Sequence, residues 1–82
     1  MTPLERAEAL YDELVAWYEN GDDKEVRAAS KLLMVALNRL RDYGGDDWET
    51  LVRGYVDILA NDPDRFERML NAQRGEKKRR SE

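Results

Sequence analysis

Carboxylates are the commonest chemistry-bearing groups in this chain, and they cluster: Asp22-Asp23, Asp46-Asp47 with Glu49, and Asp62 with Asp64. Paired carboxylates can share general acid and base roles, or hold a divalent cation. A calcium loop alternates its oxygen ligands over about twelve residues; Asp46-Asp47-Trp48-Glu49 has no such alternation. Each cluster instead precedes a periodic apolar run, the position where an Asp side chain accepts from unpaired backbone N–H groups. Thr2-Pro3-Leu4-Glu5, Asp22-Asp23-Lys24-Glu25 and Asp46-Asp47-Trp48-Glu49 each place a Glu where it can reach back and close a capping box. In the fourth start, Asp62-Pro63-Asp64, as at Pro3, proline takes the first helical position, where a missing N–H costs nothing. Capping is therefore the expected work of Asp22, Asp23, Asp46, Asp47 and Asp62.

Covalent catalysis lacks partners. The serines are Ser30 and Ser81, and the chain has no histidine and no cysteine. That removes the commonest general base, the commonest transition-metal ligand, thiolate metal sites and disulfides. No phosphate loop or dinucleotide fingerprint occurs. The expectation is a non-enzymatic chain with no catalytic, cofactor or metal site, suited to a reducing, cytoplasmic setting.

Basic residues gather at the other end. Lys77-Lys78-Arg79-Arg80 follows Arg65, Arg68 and Arg74, whereas residues 1–25 hold eight acids against two bases. With a sequence pI near 4.9, specific nucleic-acid recognition is not expected. The gradient reads as charge complementarity between the first and last helices; the sharper alternative is an acidic docking face or a tail for an anionic partner.

Four elements must carry these groups. Over about residues 3–20, Leu4, Ala7, Leu10, Tyr11, Leu14, Val15, Trp17 and Tyr18 share one arc wide enough for two neighbours. Over about 23–43, Val26, Ala29, Leu33, Ala36, Leu37 and Leu40 form a central stripe, and the run Leu32–Leu37 is apolar nearly all round, which predicts the most buried helix. A third helix, about 47–60, carries Trp48, Leu51, Val52, Tyr55, Val56, Ile58 and Leu59 on one side, with Gly54 inside it as the expected close approach of a neighbour. The fourth, about 63–74, offers Phe66, Met69 and Leu70. Gly21, Gly44-Gly45, the Asn61-Asp62-Pro63 break and Gly75 read as stops. The predicted fold is all-α: a small antiparallel bundle of three main helices with a short fourth helix, residues 1–74 forming one domain and 75–82 a charged, disordered tail. No apolar run approaches the roughly 18 residues of a membrane span, and the aromatic residues Trp17, Trp48, Tyr11, Tyr18, Tyr43 and Tyr55 are expected in the core.

One surface invites a partner. Arg27, Lys31, Met34, Asn38 and Arg41 recur at intervals of four and three opposite the apolar stripe, with Val35 further round. Adaptable Met among Arg residues is an interface composition. The competing reading has Met34 and Val35 touching the fourth helix or a loop while the cations pair with acids of neighbouring helices. A second candidate is the flank Leu10–Trp17, which a homodimer would bury; monomer and homodimer both remain open.

With its capping boxes, Pro at first positions, Glu19-Asn20-Gly21-Asp22-Asp23-Lys24-Glu25 connection, Glu/Arg-rich faces and absence of Cys and His, the chain resembles a computationally designed helical bundle. That resemblance implies a stable helical scaffold or a protein-binding module using one helix face. The alternative is a natural small bacterial or phage-type adaptor or inhibitor binding a protein partner.

Overall fold

The computed structural model describes the backbone of residues 1–80 and the side chains of residues 1–75. Four helices follow one another: α1 (Pro3–Trp17), α2 (Lys24–Tyr43), α3 (Trp48–Asn61) and α4 (Pro63–Arg80). No strand occurs among the described residues, and no helix there is long and apolar enough to cross a membrane. Each helix packs on the next, and α1 closes the circuit against α4; the α2–α3 contact is the slightest.

The helix starts divide into two kinds. Thr2 makes the full capping box: its hydroxyl accepts from the Glu5 N–H at 3.2 Å, and Glu5 Oε1 accepts from the Thr2 N–H at 2.8 Å. Asp62 caps α4, its Oδ1 accepting from the Arg65 N–H at 3.2 Å. Asp23 and Asp47 are N-caps without a side-chain bond. An N-cap side chain reaches the first-turn N–H groups from extended backbone. Asp23 is left-handed, at φ 56° and ψ 32°, and Asp47 lies at φ −100° and ψ 15°. The expected capping role fails there on backbone geometry.

The stops also differ from their expected places. α1 ends at Trp17, well before Gly21, as the Tyr18 and Glu19 N–H groups bond back three residues to Val15 and Ala16. The left-handed residue that follows is Glu19, at φ 57°, not a glycine. Gly44-Gly45 does behave as a stop: Gly44 N–H donates to the Leu40 carbonyl at 2.7 Å, and Gly45 takes φ +79°. A Cβ on Gly44 would stand 2.5 Å from the Leu40 carbonyl oxygen, so the turn needs glycine there. Gly75 stops nothing, because α4 runs through it to Arg80 and is longer than α1 or α3 rather than short. The expected disordered tail, 75–82, falls almost wholly on residues whose side chains lie outside those described.

Apart from the fully buried Ala28 of α2, half-buried apolar residues meet at the α1–α3–α4 junction. Leu4, Tyr55, Phe66, Met69, Leu70 and Gln73 surround a cavity of about 190 Å³. The Tyr55 and Phe66 rings meet edge to face at 6.3 Å. A charged clasp joins α1 to α4 beside it. Arg74 Nε donates to both Glu8 oxygens, at 2.9 and 3.1 Å, and its Nη1 donates to Asn71 Oδ1 at 2.8 Å. The hydrogen bonds from Arg74 hold the Glu8 carboxyl below its ordinary range and, in return, raise the guanidinium. The acidic-to-basic gradient along the chain is realised in this pair, 66 residues apart in sequence.

The expected core helix is the main correction. On α2 only Ala28 is buried, one helical step (about 100°) away from the predicted stripe. Within the stripe Val26, Ala29, Leu33 and Ala36 face outward, and Leu37 and Leu40 are half-buried.

Candidate protein-binding surface

Helix α2 owes its placement to its N-terminal half. The Arg27 guanidinium lies over the Tyr18 ring, 4.7 Å from its centroid, and Ala28 turns inward. With α1 on that side, the helix rotates Val26, Ala29, Leu33 and Ala36 to solvent, while Leu37 and Leu40 stay half-buried. Val26 is 64% exposed, Leu33 56% and Tyr43, at the C-terminal end, 84%.

The sequence-predicted site residues, Arg27, Lys31, Met34, Val35, Asn38 and Arg41, are all exposed. Met34 and Val35, at 64% and 53%, do not find the cover from α4 or a loop that the competing reading required. Their polar companions are tied to their own neighbourhood. Arg41 Nη2 donates to Asn38 Oδ1 at 2.8 Å and to Asp42 Oδ1 at 3.3 Å, and Arg27 is held on Tyr18. This face is thus mostly polar, with Met34 within it and Val35 at its edge, and the broader exposed apolar surface of α2 is the side of Val26, Ala29, Leu33 and Ala36.

A second apolar element adjoins it. Leu10, Glu13, Leu14 and Trp17 of α1 and Leu32 of α2 line an open cleft of about 380 Å³. Trp17 is 76% exposed, its ring edge-on to Tyr18 at 6.0 Å. Tyr55, 45% exposed, misses its expected core placement, and that of Trp17 and Tyr43 is overturned outright. Both sit at helix ends, where a wide apolar arc outruns the neighbour that could cover it.

The acid clusters stay dispersed: among the described residues no group of three or more His, Cys, Asp or Glu could hold a metal. Gly54 is not a close-approach point, since a Cβ built there meets nothing within 4 Å. What the sequence reading missed is that the α2 apolar stripe is surface. The signal lay in its spacing: Val26, Ala29, Leu33, Ala36, Leu40 and Tyr43 step by three and four alternately, a heptad seam as well as an amphipathic face.

Comparison of the chain with known protein families, with curated proteins and with solved structures found no match.

Proposed function

We propose that this chain is a non-enzymatic helical module, its sequential helices antiparallel, that acts by binding protein through the outer face of α2. The supporting observation is the exposure of Val26, Ala29, Leu33 and Ala36 along one side of a helix whose buried residue, Ala28, lies off that side. A self-sufficient scaffold turns such a stripe onto its own core. Contiguous exposed apolar surface of this kind is the mark of a contact site. Polar residues fixed within it, Asn38 and Arg41 above all, would give orientation rather than most of the binding energy.

The test is Leu33→Gln, studied at high dilution. A core leucine truncated in this way loses about 2–5 kcal/mol. Leu33, more than half exposed, should lose no more than about 1 kcal/mol. Circular dichroism melts should stay cooperative, and fluorescence of a dye that reports exposed apolar surface should fall. Cooperative unfolding lost at all concentrations would make the stripe core and overturn the proposal.

A further inference from the structure

Resting on that reading, we infer that the occupant of the α2 face is a second copy of this chain, with the two α2 helices paired antiparallel across a two-fold axis. Area is the first ground. The chain exposes 6874 Å², whereas a folded monomer of 9.6 kDa exposes about 5,100 Å². Granting residues 76–82 the whole area of an unfolded chain of their mass, about 1,350 Å², leaves about 5,500 Å² for the rest. The remaining mass, folded, exposes about 4,700 Å². The surplus of about 800 Å² per chain, shared between the α2 face and exposed apolar residues of α1 and α3 such as Trp17, Val56 and Leu59, matches in size one partner's share of a standard stable interface.

Size complementarity is the second ground. In heptad register, Val26, Leu33 and Leu40, the last already half-buried within the chain, take one core position and Ala29, Ala36 and Tyr43 the other. A parallel pair would set Ala29 on Ala29 and Ala36 on Ala36, leaving voids beside stacked leucines. Reversing one helix brings Leu33 against Ala36, Ala29 against Leu40 and Val26 against Tyr43 of the copy. Two of the three kinds of layer then set a large side chain against an alanine, as interdigitated packing at interior density requires. One register satisfies all three kinds at once.

Charge is the third. That same register brings Glu25 of one chain beside Arg39 of the other, twice by symmetry. Both are exposed, and no ion pair engages either within the chain among the described residues. It also brings Leu32, on the rim of the α1–α2 cleft, next to its own copy, so the cleft continues the interface rather than lying apart from it.

The native absence of cysteine supplies the experiment. Sedimentation equilibrium of the full chain, from micromolar to millimolar concentration, should show a monomer–dimer equilibrium. Leu33→Glu should weaken it about 100-fold or more by placing an unpaired charge in the seam. Glu25→Arg and Arg39→Glu should each weaken it several-fold, and the two together should restore it. Val26→Cys and Tyr43→Cys chains, mixed and oxidised, should cross-link to each other. Val26→Cys alone should not, because its copy lies about 25 Å away along an antiparallel pair. A Val26→Cys homodisulfide, or charge reversals that fail to rescue each other, would overturn the antiparallel pairing. Monomer at all concentrations with Leu33→Gln still folded would overturn the second-copy inference and leave the binding surface standing. Unfolding by Leu33→Gln at high dilution would overturn both.

Discussion

Gly54→Ala should stabilise the protein. Gly54 lies midway along α3 with helical backbone, so alanine requires no change of φ. A Cβ at that position would meet no atom within 4 Å beyond its own helical surroundings, which removes any overpacking cost. What remains is helix propensity, about 0.8–1 kcal/mol in favour of Ala, arising chiefly from the conformational freedom glycine loses on folding. At about 2.1 cal/mol/K per residue, an 82-residue chain unfolds with an entropy near 0.17 kcal/mol/K, so the gain corresponds to roughly 5 °C in Tm. Thermal melts by circular dichroism and urea titrations should agree, with the midpoint raised and the m-value unchanged. A fall in Tm would refute the reasoning, because it would mean that another helix approaches α3 at this point, as the sequence reading had it.

Two other perturbations follow from named contacts. For Glu8, the folded carboxyl titrates below its ordinary 4.5, so the stabilisation it draws from Arg74 is present above that value and is lost as pH falls through the lowered one. The Tm difference between wild type and Glu8→Gln should therefore be largest near neutrality and shrink below about pH 4.5; a difference constant down to about pH 2.5 would remove the clasp from the account. For Glu19, held left-handed at φ 57°, glycine relieves the clash of Cβ with the backbone, and Glu19→Gly should raise stability by about 0.5–1 kcal/mol in urea melts. A loss would show that the turn after α1 is not strained.

The legible part of the fold was its helices. Apolar periodicity located all four, because a 3.6-residue repeat is a local property of the chain. Turn chemistry was legible where it depends on one residue's needs, as at Thr2 with Glu5, Asp62 and Gly44-Gly45. It failed at Asp23 and Asp47, whose backbone angles are set by connections that must join helices at particular angles. The charge gradient foreshadowed attraction between the ends of the chain, but not that Glu8 and Arg74 would be the pair. Of the candidate site, the exposure of Met34 and Val35 was legible from their place among cations. The exposure of Val26 and Leu33 was not, since an amphipathic face states that something apolar should cover it without saying what.

That ambiguity has a physical resolution in the size of the chain. Four short helices forming a circuit of neighbours leave little interior: α1, α3 and α4 half-bury Leu4, Phe66, Met69 and Leu70 at one junction, and Tyr55 beside them stays 45% exposed. Giving α2 a second buried face would need a further layer, and an 82-residue chain has little surface left to enclose one. An intermolecular layer provides that cover without lengthening the chain. Alanines at alternate seam positions then have a purpose that an internal core would not give them: they let two like helices approach closely while the leucines of one fill the space above the alanines of the other. On this account the alternating three-and-four step of Val26 to Tyr43 is a recognition element, and the weak packing of α2 inside its own chain is what leaves that element free to be read.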